Sequence, residues 1–352
     1  MRILFHLGHP AHFHLFKNVI QQLQKKGHYI DILIKEKDVL RELLDSAGFE
    51  YHNILPEGKS AGKAGMVKDL LKRGKRIIRF CREQRPDLLI GTSADISYVG
   101  KFLGIPSVNV QEDDASVIPL HAWLAYPWAT AILSPDCCDN GRWNKKTTTY
   151  AGYHELAYLH PDHFTPNRTV VEKYLGQADD YFILRFASLH AHHDDGVRGI
   201  DNKLANKLVE RLKPHGWVFI TSERELSAEL EPYRLSINPA DIHHLLAFAN
   251  LVIGDSQTMS AEAAVLGTPY IRYNDFVGKI GYLRELEEVY KLGHGITPDH
   301  PEELLIKAEE LASGNQVKAE FQKRREKMLS EKIDVTQFLI DFVEKRYVMQ
   351  EL

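Results

Sequence analysis

Two clumps of histidine and one run of small polar residues carry most of the chemistry in this 352-residue chain. There are 18 histidines, and they are not scattered. His6, His9, His12 and His14 surround an early turn, and His190-Ala191-His192-His193-Asp194-Asp195 forms a second group. Imidazole titrates near neutral pH, so it can take a proton from a hydroxyl or ligate a metal. His9 and His12 are three residues apart, a spacing that admits a metal, but no cysteine or carboxylate is interleaved with them. The second clump partly mimics an HxHxDH metal motif, with Asp195 where the last histidine should stand, and its dense ligands keep a metal there open. The third feature runs from Val252 to Pro269: an apolar strand ends at Gly254, Asp255 and Ser256 turn the corner, and a helix begins near Thr258. Unpaired N–H groups at such a helix start attract anions, helped by the helix dipole. Glu262, one turn in, is placed to accept hydrogen bonds from a ribose diol. The plainer alternative is a capped surface helix, with Ser256 or Thr258 as cap and Glu262 completing a capping box.

These groups need elements to hold them. Apolar runs at Ile3–Leu7, Tyr29–Ile34, 87–91 and Ser107–Val110 read as strands, with helical periods between them. The alternation pauses at the proline-bracketed stretch 159–166, then resumes with strands at Tyr181–Phe186, 217–221, Leu251–Gly254 and 269–271. Strict alternation of strand and helix predicts a parallel sheet with helices on both faces. The expected organisation is an α/β chain of two doubly wound, Rossmann-like domains facing a cleft, at 1–163 and 164–332. A helical segment, 333–352, is expected to cross back to the first domain.

Composition narrows the class. Hydrophobic residues make up 44% and charged residues 26%, which suits a globular protein and excludes fibrous and disordered classes. A net charge of −4 argues against nucleic acid as a partner. Cys81, Cys137 and Cys138 form neither a disulfide framework nor a CxxC zinc site, and read as reduced thiols. No targeting signal is read at the N-terminus, and no apolar run approaches the roughly 20 residues of a membrane span. A cytoplasmic location is therefore expected. One stretch is strongly basic: Lys68, Lys72, Arg73, Lys75, Arg76, Arg79 and Arg82 interleave with Met66, Leu70, Ile77, Ile78 and Cys81. A basic amphipathic helix over 64–83 is either a solvated face or a peripheral contact with anionic lipid at the inner face of the membrane.

Asp255-Ser256, Glu262-Ala263-Ala264 and Leu266-Gly267-Thr268-Pro269 resemble the nucleotide-sugar signature of GT-B enzymes. Those enzymes include the glycosyltransferase of peptidoglycan lipid II synthesis and the non-hydrolysing UDP-N-acetylglucosamine 2-epimerases. The opening Gly8-His9-Pro10-Ala11-His12, with Gly27-His28 after the helix, is similar to the Gly-His loop of GT-B glycosyltransferases. Over nearly the full chain the resemblance is to a GT-B-like family catalogued as domain of unknown function 354. It rests on Tyr158-Leu159-His160-Pro161, Leu245-Leu246 and Gly254-Asp255-Ser256-Gln257-Thr258-Met259.

The resemblance implies a GT-B fold and a UDP-sugar or related donor. Gly254, Asp255, Ser256, Gln257 and Thr258 would then cradle a diphosphate, Glu262 would hold the ribose, and Arg185 and His190 would neutralise the leaving group. His9 is the expected base, with His12 beside it and Asp113 or Asp114 orienting it. Gln257 and Thr258 replace the two glycines of the epimerase Asp-Ser-Gly-Gly, which limits close backbone approach. The expected activity is glycosyl transfer to a glycan or lipid-linked acceptor in surface polysaccharide or glycolipid assembly, with no metal and no cofactor. A UDP-sugar 2-epimerase and a non-catalytic nucleotide-binding protein are the alternatives.

Overall fold

Buried apolar strands that feed helices through short loops build two parallel sheets, one in each of two units. The computed structural model describes residues 1–35, 39–56, 62–187, 198–314 and 316–348. The first unit comprises Met1–Tyr158 and the segment beginning at Ile333; the second is Leu159–Lys332. The division thus falls after Tyr158 rather than after residue 163. Tyr158 packs its ring on His14 at 5.1 Å, and the Ala157 carbonyl accepts from Asn18 and Thr336, which ties this stretch to the first unit. Phe164 stacks on His243 and His244 and belongs to the second.

The first unit holds β1 (Arg2–Leu7), β2 (Tyr29–Ile34), β3 (His52–Asn53), β4 (Leu88–Gly91), β5 (Ser107–Val110), β6 (Ala131–Pro135) and β7 (Thr147–Tyr150). All pair in parallel, in the spatial order β3-β2-β1-β4-β5-β6-β7. The order runs outward from β1 in one direction and then from β4 in the other, so the switch point lies between β1 and β4. In open parallel sheets that is where ligands bind, at the strands' carboxyl ends. Leu4, Leu33, Ile77, Leu89, Ile96 and Val99 fill the core beneath one face. The segment from Ile333 joins this unit: the Ile333 N–H donates to Ala151, Thr336 to Ala157, and His28 pairs with Glu344 at 2.9 Å.

The second unit holds β8 (Tyr181–Phe186), β9 (Trp217–Ser222), β10 (Leu251–Gly254), β11 (Tyr270–Tyr273) and β12 (His294–Ile296), parallel in the order β12-β11-β10-β8-β9. Its switch point lies between β8 and β10. The two units solve the close approach there alike. A Cβ at Gly91 would meet the His6 carbonyl at 2.7 Å, and one at Gly254 would meet that of Arg185 at 2.5 Å. Glycine is required at both places because the neighbouring strand's backbone, not a side chain, fills the space.

The helix Gly62–Gln84 is less uniformly basic at its surface than the sequence suggests. Arg73 pairs with buried Asp95 at 2.8 Å, Arg76 donates to the Ile54 carbonyl, and Arg79 pairs with Glu83 one turn on. Arg73 and Arg76 are therefore engaged within the unit, while Arg79 stays exposed beside an acid, so the charge run is not an unbroken lipid-facing stripe.

Candidate functional site

In the second unit, β10 delivers the chain to a sharp corner. Ser256 has extended backbone angles and caps the helix Gln257–Leu266, its Oγ accepting from Met259 N at 3.4 Å, while its carbonyl takes the Ser260 hydroxyl at 2.8 Å. The first N–H groups of such a helix have no partner within it, and those of Gln257 and Thr258, half-buried, belong to this set. Asp255, just before the cap, is buried, and its Oδ1 accepts from Ala187 N at 2.6 Å. Its Oδ2 is buried and has no close hydrogen-bond partner among the described residues, although the Ile200 N–H also favours the carboxylate. Burial pushes this carboxyl up to about 6, against the opposing pull of the Ala187 N–H and the nearby Arg224 and Arg185. The Asp255 carbonyl is held by Asn274 at 3.0 Å, whose own Oδ1 accepts from Arg272 and Phe276. Arg272 is wholly buried and doubly bonded to Glu287 at 3.0 and 3.1 Å, so a paired charge braces the corner from beneath.

Glu262 lies one turn further on. It is 4% exposed, and its Oε1 sits 2.9 Å from Nε2 of His243, itself 2% exposed. The carboxylate expected for ribose is therefore already engaged by a ring from the helix Ile242–Phe248. A carboxylate has room for about four acceptor contacts, so one ring does not saturate it. Arg185, next to last in β8, pairs across from Gly254; its guanidinium is paired with Glu223, and its Nε is buried without a partner among the described residues. Arg224, which the sequence reading did not single out, stacks 4.9 Å over Phe186 and donates to the Ile200 carbonyl. His190 and the remainder of 190–193 lie outside the described residues.

In the first unit the early histidine clump divides. His14 is buried against Phe13 and Tyr158 and serves packing. His6 is wholly enclosed on β1, with Nδ1 2.7 Å from Ser93 Oγ and Nε2 lacking a partner among the described residues; burial lowers it to about 4. His9 and His12 remain half-buried in the loop after β1, their rings 5.8 Å apart. His9 caps the helix Pro10–Lys25, its Nδ1 accepting from Ala11 N at 3.1 Å. The ring of His12 takes the Gly8 N–H at 3.1 Å and lies 2.9 Å from Thr92 Oγ1, which follows β4. Both sides of the switch point thus contribute to one arrangement.

Asp113 and Asp114 were expected to orient His9. Asp114 accepts from Asp139 N at 2.9 Å, and both carboxylates act electrostatically on Tyr126. A group that meets His12 across the switch point is the Thr92 hydroxyl. Its sequence signal was its place directly after Gly91, at a strand's carboxyl end. Behind it, Asn109 bonds the Ser93 carbonyl and His121, and burial lowers His121 to about 4. Among the described residues of each unit taken alone, no three His, Cys, Asp or Glu ligand atoms converge as a metal site would need.

The fold has well-defined relatives among solved structures. S. aureus MnaA, in a co-structure with UDP, superposes with a TM-score of 0.69 at 12% identity, over 98% of this chain and 96% of that one. A UDP-GlcNAc 2-epimerase from Neisseria meningitidis bound to UDP-GlcNAc gives 0.68 at 13%, over 98% and 100%. The glycotransferase of kitacinnamycin gives 0.65 at 14%, over 98% and 99%. At such identities the likeness shows the fold, which is the two-unit, Rossmann-like architecture of GT-B proteins. No curated protein matches the chain in sequence. The family model described as "Protein of unknown function (DUF354)" matches residues 1–283, and the chain belongs to that family.

Proposed function

We propose that the chain is a nucleotide-sugar-dependent glycosyltransferase whose second unit binds the donor and whose first unit serves the acceptor. The observation that carries this reading is the corner after β10, where a capped helix start, whose first N–H groups have no partner within the helix, is followed one turn later by Glu262. That pairing suits a diphosphate and a ribose together. Its fold relatives include proteins solved with UDP and with UDP-GlcNAc, which supports uracil as the base. Gly254, Asp255, Ser256, Gln257 and Thr258 cradle the diphosphate, with the N–H groups of the helix start as donors. Arg185, released from Glu223, and His190 meet the charge that develops on the leaving group. His9, with His12 held beside it by Thr92, takes the acceptor's hydroxyl proton. The acceptor is a glycan or lipid-linked molecule of surface polysaccharide or glycolipid assembly, met in the cytoplasm at the inner face of the membrane.

A second reading is a UDP-sugar 2-epimerase, favoured by the likeness to such enzymes. A thermal-shift panel of nucleoside diphosphates tests the core of both, because a ligand that binds only the folded protein raises its melting temperature. At equal UDP concentration the shift is expected to be smaller for Glu262→Ala than for the wild type; no shift with any nucleotide would sink the reading. Incubation with UDP-GlcNAc alone then separates the two, since a new sugar nucleotide would mean epimerisation.

A further inference from the structure

The short helix Pro119–Ala125 in the first unit is apolar on two faces. Ala122, Ala125 and Tyr126 are buried in a small cluster with Ala115, Ala129 and Ile132. The other face carries Leu120, Trp123 and Leu124, spaced as one helical stripe and 59%, 58% and 38% exposed; Trp128, just past the helix, is 47% exposed. A helix that is apolar all round belongs in a core. Here half of that surface is open, and adjoining exposed apolar groups on a folded unit mark an interaction site.

Cations frame it. The Arg142 guanidinium stacks 3.6 Å from the Trp123 ring and 4.3 Å from that of Trp143. Lys146 donates to the carbonyls of Tyr126 and Pro127 at 3.0 and 3.2 Å, and Lys145 beside it is exposed. Lys146 is held below the usual lysine value by burial and by the charge of Lys101. Lys101 and Phe102, both exposed, lie near the end of the helix Ala94–Leu103, which packs against this one. No Asp or Glu occurs in 115–135 or 140–154. Asp136, which is exposed, and Asp139 lie between those stretches; Asp139 is turned to its own loop, accepting from Gly141 N and Asn144.

We propose that this face docks on an anionic lipid bilayer, with Trp123, Trp128 and the two leucines entering the headgroup boundary and Arg142, Lys145 and Lys101 meeting lipid phosphates. Indole rings favour that depth, and each cation near an anionic surface adds attraction. No helix among the described residues is long and apolar enough to cross a membrane, so the contact is monotopic. The docking surface is this aromatic face rather than the helix Gly62–Gln84, whose Arg73 and Arg76 are engaged within the unit. Its purpose rests on the membrane-side acceptor of the proposed function, but its chemistry does not depend on the donor.

The test is co-sedimentation of the full chain, without nucleotide, with vesicles of phosphatidylcholine alone or mixed with phosphatidylglycerol. The wild type is expected to bind the mixed vesicles and not the neutral ones. Trp123→Ser/Trp128→Ser should weaken that binding about tenfold or more, and Lys145→Glu should weaken it too, both with unchanged melting temperature. Trp217→Ser, which removes an exposed tryptophan of the second unit, should bind as the wild type does. The proposal is overturned by a wild type that ignores both vesicles, by equal binding to neutral vesicles, or by a double variant that binds undiminished. Loss only on Lys75→Glu/Arg82→Glu would also overturn it. A dimer in solution that the double variant dissociates would make the face a protein interface instead. None of these outcomes touches the nucleotide-shift result, so the two readings fail separately.

Discussion

Nε2 of His243 lies 2.9 Å from Oε1 of Glu262, with both side chains almost fully enclosed. Two helices that meet beneath the corner after β10 are thereby joined by one polar contact. Removing either partner takes a hydrogen bond from a buried polar group, at a cost of about 1–3 kcal/mol. Glu262→Ala is expected to lower the melting temperature and to weaken UDP binding about 10- to 100-fold, about 1.4–2.8 kcal/mol. His243→Ala is expected to cost similar stability but less affinity, because it only positions the carboxylate. Calorimetric titration with UDP reads the difference, and equal affinity in Glu262→Ala and wild type would count against the ribose role.

Asp255 supplies a pH signature. Its carboxyl is raised by burial to about 6, above the unfolded value, so it contributes stability below the unfolded value and loses that contribution as pH rises through about 6. Above 6 it is an anion next to the helix start that would receive a diphosphate. Affinity for a UDP-sugar, whose diester phosphates do not titrate in this range, is expected to rise as pH falls from 8 to 5.5. Asp255→Asn should flatten the profile. A flat wild-type profile would remove Asp255 from the diphosphate's surroundings.

The sheets were legible where strands are buried on both sides. β1, β2, β4, β5 and β8 to β11 read directly as apolar runs, because a parallel strand between two helical layers has no polar face to disguise it. β3, β7 and β12 did not: the first has two residues, the second is Thr147-Thr148-Thr149-Tyr150, and the third contains Gly295. β6, Ala131–Pro135, was also missed; it ends in proline, which reads as a breaker. Of the site, Ser256 and Glu262 were visible because a strand, a corner and a helix are contiguous in sequence. His243 and Thr92 were not, since their partners Glu262 and His12 are 19 and 80 residues away and only the folded chain joins them. The separation of His6 and His14 from His9 and His12 was equally hidden, because burial and not residue type distinguishes them.

Acid should unfold the first unit through two histidines. His6 and His121 are each lowered to about 4 by burial, so both are neutral when folded, and charging His6 would bury a second ring N–H with no acceptor. Their contribution is present above the unfolded value of 6.5 and is lost as pH falls from there through 4, by up to about 3 kcal/mol each. Denaturant melts between pH 7 and 4 are expected to show a declining midpoint, and His6→Gln should reduce the slope. A midpoint that is constant over this range would refute the assignment.

His9 combines two roles that one substitution can separate. As helix cap it accepts the Ala11 N–H, and removing a cap costs about 0.5–2 kcal/mol. Asparagine caps well but does not titrate near neutrality, so His9→Asn is expected to keep the melting temperature and donor affinity while lowering turnover by about 10²- to 10⁴-fold, the usual loss of a general base. The acidic limb of the pH–rate profile should vanish with it. Thr92→Val tests the neighbouring contact, since it removes the hydroxyl 2.9 Å from the His12 ring and leaves the side chain's shape. It should slow turnover about tenfold without moving donor affinity. If His9→Asn turned over as the wild type does and Thr92→Val did not, the base would be His12, held by Thr92, and His9 would be a cap alone.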